Sequence, residues 1–311
     1  MNQQPKIKII SSGKYVPPHL ITNEDLEKIV ETSDEWIVTR TGIKTRHKAE
    51  DETTSQMAVK AALSAIERVN YDVQKIDLII MATITGDQMT PSTANFIQAA
   101  LGLQHEVMSF DINAACTGFV YGLEVAAALL QTGRFRAALI IGGETLTKIV
   151  DYTDRNTCVL FGDGAGAMII EPAYAPHHNA YFFNAARGDT QGYLTVVNKI
   201  KMDGKRVYQF AVDAMQQAIL KVLKDANLDI SEIDMIIPHQ ANERIIQSVS
   251  KSMNIPIEKF MMNLSEYGNT SAASIPMTIS DYYDQHHIKG QKLLLVGFGG
   301  GFTWGSAIIQ L

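Results

Sequence analysis

Cysteine is scarce in this chain. Its two residues, Cys116 and Cys158, stand 42 positions apart, with no CxxC pair and no clustered histidines. That spacing argues against a disulfide framework and against a metal centre, so no metal and no other cofactor is expected. Long apolar runs are missing too. No stretch of about 18 uncharged apolar residues occurs, and the start MNQQPKIKII has no signal-peptide core. Neither secretion nor a membrane span is expected, and the expected compartment is the cytoplasm. Positive charge is not in excess: the formal net charge is −6, which implies no broad surface for nucleic acid and leaves only local basic patches. What remains is ordinary globular material. The 46% hydrophobic and 19% charged residues suit a packed domain, and 311 residues bury one large core or two domains of about 150.

Taken in order, Lys6 to Ser11 reads as a strand, followed by a turn through Pro17 and Pro18. Thr22 caps a short helix, and Thr32-Ser33-Asp34-Glu35 begins another that carries Trp36 and Ile37. Thr54 to Val69 has helical periodicity, Ile76 to Ala82 is a continuous apolar run of strand length, and Pro91 to Leu101 is again helical. Ala137 to Ile141 reads as a buried strand, and Leu160 to Ile170 as a glycine-rich turn flowing into another.

The second half repeats this plan. Lys75 to Ile80 is echoed by Glu232 to Ile237 at an offset of 157, Phe110 to Asn113 by Phe260 to Asn263 at 150, and Ala138 to Gly142 by Leu293 to Gly297 at 155. Three pairs in one order at nearly one offset point to two copies of an α/β unit. Strands alternating with helices predict largely parallel sheets covered by helices. No linker tract separates the copies, and the seam falls within Glu171 to Asn179.

The chain is organised around Asp111 to Gly133. Val107 to Ile112 alternates as a buried strand does, and Phe119, Leu123, Ala126, Ala127 and Leu130 mark one face of a helix that Gly133 stops. Cys116 therefore sits at a strand-to-helix junction, where unpaired N–H groups and the positive dipole end favour a thiolate. From this stretch alone, a nucleophile and a plainly packed core cysteine stand as equal readings.

Other segments bear on that choice. GDGAG at 162–166 precedes a strand instead of opening a helix, and GFGGG at 297–301 lacks the Lys-Ser/Thr of a phosphate loop. Close backbone approach or an oxyanion pocket accounts better for GFGGG. His239, in PHQAN, follows the end of a buried strand, where open α/β sheets place ligands; an exposed loop histidine is the plainer reading. The segment Tyr267 to Ser274 occupies the place of the cysteine turn in the second copy, which brings Asn269 near Cys116. A thiol beside His and Asn donors suits nucleophilic catalysis through an oxyanion.

NAACTGFVYGL, PHQAN, YGNTSAASIP and GFGGGFTWGSAI, with SDEWIVTRTGI at 33–43 and LFGDGAGA at 160–167, resemble the β-ketoacyl-acyl-carrier-protein synthase III family of thiolase-superfamily condensing enzymes. The resemblance runs from about residue 6 to the end. It implies a thiolase-like, duplicated five-layer α/β/α/β/α sandwich that forms homodimers, with an N-terminal half at 1–172 carrying the cysteine and a C-terminal half at 173–311 carrying His and Asn. It also implies the reaction: decarboxylative Claisen condensation of an acyl-CoA primer with malonyl-acyl carrier protein, initiating fatty-acid synthesis. Cys116 would carry the acyl group, His239 and Asn269 would stabilise the enolate, and the backbone N–H groups of Cys116 and Gly300 would form the oxyanion hole.

The same resemblance implies Trp36 and Arg155 as adenine-clamping residues, Arg40 as a phosphate contact, Asn242 as a pantetheine-tunnel residue and Arg244 as a carrier-protein docking residue. In the family, the residue before the Pro of TGDxxxP reaches the acyl pocket across the dimer interface, and a Phe there closes it. Here that residue is Thr90, beside Met89. Two departures stand out. Lys205 replaces an Asn common after the Met-x-Gly turn, and the loop from Gly188 to Lys201 is short. The competing expectation is a same-fold condensing enzyme or acyltransferase of a secondary-metabolite pathway. Acyltransferases of this fold commonly replace the Asn, which Asn269 argues against.

Overall fold

In the computed structural model, Leu78 and Ile80 face one apolar cluster with Phe119, Leu123, Ile237 and Leu295, while Ile79 and Met81 face another with Met57, Ala61 and Ile97. A strand covered on both faces has to be apolar throughout, which is why this run is. The structure describes residues 4–285 and 288–311; the first three residues of the expected N-terminal half lie outside them.

Two sheets organise the chain. The first comprises β1 (Ile7–Tyr15), β2 (Leu78–Ala82), β3 (Met108–Ile112), β4 (Ala138–Glu144) and β5 (Gly164–Pro172), in the order β1-β5-β4-β2-β3. The second comprises β6 (Tyr181–Ala186), β7 (Met235–Pro238), β8 (Lys292–Gly299) and β9 (Thr303–Gln310), in the order β7-β8-β9-β6. Ile236 of β7 also bridges in parallel to Phe260. Read from β6, the second sheet thus runs β6-β9-β8-β7-Phe260 and reproduces the first strand for strand. The senses match as well: antiparallel, antiparallel, parallel, parallel.

The sheets are mixed, not largely parallel. A parallel neighbour needs a crossover connection. β8 passes to β9 through 300–302, too short for one, and β4 passes to β5 through 145–163, which holds only short turns and the four-residue helix Arg155–Cys158. Both connections therefore return the chain antiparallel.

Helices Thr54–Arg68 and Thr93–Ala100 cover the outside of the first sheet, and Gly204–Ala226 and Glu243–Met253 cover the outside of the second. Gly118–Leu130 and Ser274–Gln285 lie between the sheets and touch both. The result is the five-layer α/β/α/β/α sandwich. Gly118–Leu130 is apolar or small on most sides because both of its faces are covered.

β3 differs from the expectation of a buried strand. It is the sheet's edge, with Met108 41% exposed and the other four residues half-buried, so its apolar alternation meets no covering strand within the protomer. Among the described residues, no helix is long and apolar enough to cross a membrane, and no cluster of His, Cys, Asp or Glu is placed to hold a metal ion.

Candidate active site

The two central helices begin the same way. Cys116 lies in the tight turn Ala115–Thr117, which runs directly into Gly118–Leu130. In the second half the turn Ser271–Ala273 runs into Ser274–Gln285. Each turn is pressed against a glycine. A Cβ on Gly142 of β4 would run into the Ala272 carbonyl, and one on Gly299 of β8 would sit 2.8 Å from the Cys116 nitrogen. Close backbone approach is thus what GFGGG provides, and it leaves the Cys116 N–H unobstructed.

Asn269 is buried, and its backbone is pinned on both sides: its N–H donates to the Leu160 carbonyl at 2.8 Å and its carbonyl accepts from Gly162 N at 3.0 Å. Its side-chain oxygen accepts from Ser271 N at 2.9 Å. A backbone N–H must meet an oxygen, so this bond fixes the amide's orientation and leaves the NH2 end as a donor. His239 follows β7 and is likewise buried, with its N–H bonded to Val296 O at 2.8 Å. Nδ1 lies 2.7 Å from Ser274 Oγ, Nε2 has no partner among the described residues, and Phe298 meets the ring edge-on at 5.4 Å between centroids. The plainer reading of His239 as an exposed loop residue is therefore excluded.

The electrostatics revise one expectation. The Cys116 thiol is not held as a thiolate. Burial pushes it up to about 12; the Ser271 hydroxyl opposes that shift, and the buried Glu144 carboxyl adds to it. The field at a helix N-terminus is worth about 2 kcal/mol at most, less than the desolvation of a buried anion. Burial also lowers His239 to about 3, so thiol and imidazole are both neutral at rest. Glu144 itself is lifted to about 7 by burial, although Thr83, Ile84 and Thr85 all donate to it.

One cavity of about 1120 Å³ joins these groups. Cys116, His239, Asn269 and Gly300 line it together with Trp36, Arg40, Asn242, Arg244 and Lys205. Trp36 carries the Arg40 and Arg155 guanidiniums, each 4.8 Å from its ring centroid. Arg155 also donates to the Glu31 carbonyl, and it does not line the cavity. The Asn242 amide is already engaged: its oxygen caps helix Glu243–Met253 at Arg244 N, and its nitrogen donates to the Arg40 carbonyl. It ties the Trp36 helix to the His239 loop. The hairpin Leu194–Val196 with Ile200–Met202 forms part of the wall.

Met89 and Thr90 lie elsewhere. They sit on an exposed loop tip, Met89 fully so, and do not line the cavity of their own chain. Sequence reasoning passed over Ser271, Phe298 and Glu144. The repeat held the signal for Ser271, because it stands where the first copy has Ala115.

Similarity to known proteins agrees with this geometry. Residues 110–188 match the family described as 3-oxoacyl-[acyl-carrier-protein (ACP)] synthase III, and residues 223–311 match the description of its C-terminal part. A β-ketoacyl-[acyl-carrier-protein] synthase III of Acholeplasma laidlawii is 57% identical over 306 residues, 98% of each chain. The chain belongs to the β-ketoacyl-[acyl-carrier-protein] synthase III family. Solved synthase III structures agree across the whole fold. That from Aquifex aeolicus is 41% identical with a TM-score of 0.94, covering 98% of this chain and 100% of its own. That from Thermus thermophilus is 39% identical, also at 0.94, covering 97% and 98%. The duplicated sandwich described above is thus the synthase III fold.

Proposed function

We propose that the protein condenses an acyl-CoA primer with malonyl-acyl carrier protein, releasing CO2 and CoA and starting a fatty-acid chain. The observation that carries this reading is the convergence of Cys116, His239 and Asn269 in one cavity whose walls also bear Trp36, Arg40, Lys205 and Arg244. A cationic wall beside a thiol and two neutral donors suits anionic thioester carriers.

Cys116 attacks the thioester carbonyl of acyl-CoA, and the thiol proton leaves with the CoA sulfur. The backbone N–H groups of Cys116 and Gly300 hold the oxyanion of that step. Malonyl-carrier protein then loses CO2, and its enolate oxygen lies against His239 and the Asn269 NH2. An amide cannot act as a base near neutral pH, so Asn269 serves only as a donor, worth about 3 kcal/mol by comparison with other oxyanion donors. The enolate carbon attacks the acyl-Cys116 carbonyl, the β-ketoacyl-carrier protein leaves, and the thiolate takes a proton from water.

Several further readings go with this one. The chain divides functionally at 172/173, the first half supplying the nucleophile and the second the donors. The open edge of β3 supports a homodimer in which two copies pair along it and the exposed Met89–Thr90 tip reaches the partner's acyl pocket. Arg244, exposed on the first turn of its helix, contacts the carrier protein. Trp36, Arg40 and Arg155 receive the nucleotide end of CoA. Two free cysteines suit a reducing cytoplasm.

The test is intact-mass detection of an acyl adduct on wild type and on Asn269→Ala, followed by addition of malonyl-carrier protein. Wild type should acylate and then discharge. Asn269→Ala should acylate and keep the adduct. Discharge at the wild-type rate in Asn269→Ala would overturn the enolate role.

A further inference from the structure

Ser274 opens helix Ser274–Gln285 and is 2% exposed. Its hydroxyl oxygen lies 2.7 Å from Nδ1 of His239 and 3.4 Å from the backbone nitrogen of Gln240. The Gln240 N–H can only donate, so it takes a lone pair of that hydroxyl. A serine has a single proton to give. Among the described residues, the one acceptor in hydrogen-bond contact with this hydroxyl is Nδ1 of His239. A hydroxyl that donates to Nδ1 requires Nδ1 to carry no proton, and a neutral imidazole then carries its proton on Nε2.

We propose that Ser274 is a positioning residue that holds His239 as its Nε2–H tautomer, so that the ring presents a donor, not a base, to the substrate oxygen. This deepens the reading of Cys116, His239 and Asn269 given above and rests on it. Nε2 is the ring atom left buried without a partner among the described residues, and His239 lines the cavity beside Asn269. Burial keeps the ring neutral, with its pKa lowered to about 3, so the competition is between two tautomers. The opposite tautomer would strand the Ser274 proton in a buried place and turn a lone pair toward a developing negative charge.

The surroundings hold the arrangement still. The Gln240 side chain donates to Pro238 O at 2.8 Å and Met261 O at 3.1 Å, and accepts from Asn263 N at 3.1 Å. The backbone that carries both His239 and the Gln240 N–H is therefore fixed on three sides. Asn269 is oriented by Ser271 and His239 by Ser274, so one tight turn and the first residue of its helix set both donors.

Imidazole 15N NMR on the wild-type protein should find the His239 proton on Nε2; a proton on Nδ1 overturns the proposal without any variant. Ser274→Ala should lose the single-tautomer signal. Its turnover in malonyl-carrier-protein decarboxylation should fall by about tenfold or more, as when other histidine-orienting partners are removed, while KM and the rate of Cys116 acylation hold. Unchanged decarboxylation with a clean Nε2–H signal in Ser274→Ala also overturns it. His239→Ala separates the two readings: if that variant decarboxylates at the wild-type rate, the enolate role itself fails, and the tautomer signal alone then decides the role of Ser274.

Discussion

Ala115 and Ser271 both hold a left-handed backbone, with φ of 46° and 51°, and they stand 156 positions apart, one residue before Cys116 and one before Ala272. A side chain in that region costs about 1–2 kcal/mol, and such strain persists where packing over-determines it. Here it turns each chain segment sharply into a central helix, so the starts of the two helices open on one cavity. Only one of the two turns carries a nucleophile. The other places Asn269, whose amide oxygen is held by the Ser271 N–H as the Asn113 oxygen is held by Ala115 N.

That geometry makes Gly299 critical for the first half-reaction. Its missing Cβ would stand 2.8 Å from the Cys116 nitrogen and 3.3 Å from the Ala115 Cβ. Gly299→Ala must displace the turn that aims an oxyanion donor. Acyl-enzyme formation, followed by mass spectrometry, should fall by about 100-fold, the usual effect of losing one such donor. The variant should remain folded by circular dichroism. Acylation at the wild-type rate would show that the Cys116 N–H is not used.

Much of this was legible in the sequence, for identifiable reasons. The offsets between Lys75–Ile80 and Glu232–Ile237, and between Ala138–Gly142 and Leu293–Gly297, mark strands that occupy equivalent places in the two sheets. Periodicity found these because strands covered on both faces must be apolar throughout. It misjudged β3, because alternation in an edge strand looks the same whether or not anything covers it. Strand sense was lost as well, since the short return from β8 to β9 is a matter of connection length and not of apolar pattern. The helix start that favours a Cys116 thiolate is visible in sequence, and the desolvation that opposes it is not.

A thiol held up to about 12 ionises through the whole accessible range without levelling off. Iodoacetamide alkylation of Cys116, localised by peptide mass spectrometry, should rise about tenfold per pH unit from 7 to 10, where an unperturbed thiol would flatten near 8.5–9. The folded pKa exceeds the unfolded value of 9.0, so burying the thiol stabilises fully below pH 9, and that contribution is lost as pH rises toward 12. His239, lowered to about 3, should give no histidine limb in malonyl decarboxylation between about pH 5 and 8. A plateau in alkylation near neutrality would mean a thiolate at rest.

Two guanidiniums lie over the Trp36 ring, and Arg40 also lines the cavity. Removing the ring should weaken the nucleotide end of the substrate and spare the chemistry. Trp36→Ala should raise KM for acyl-CoA by about tenfold, in line with a cation–π contact of 1–2 kcal/mol, with kcat nearly unchanged. An acyl-pantetheine lacking the nucleotide should show almost no change in KM. Equal losses with both substrates would point to a packing role for the ring.

The loop from Thr83 to Pro91 is anchored at its base and free at its tip. Glu144 takes bonds from Thr83, Ile84 and Thr85, and Asp87 accepts from Ser55 N at 3.0 Å and from its hydroxyl. Beyond these anchors Gln88, Met89 and Thr90 stand exposed, and Gln88 donates to the Thr90 carbonyl at 2.6 Å. In the proposed dimer this tip meets the partner's acyl pocket, where Thr90 leaves several carbons more room than a phenylalanine would. Each methylene buried there is worth about 0.8 kcal/mol, so primers beyond butyryl should be accepted, reaching medium chain lengths. Met89 is the counterweight, since its unbranched side chain can fill the same space. A C2-to-C12 acyl-CoA series on wild type and Thr90→Phe decides the matter. The variant should shift the optimum toward the shortest primers and leave acetyl transfer intact. A wild type that rejects every chain longer than C4, or a variant with an unchanged profile, would remove Thr90 from the acyl pocket.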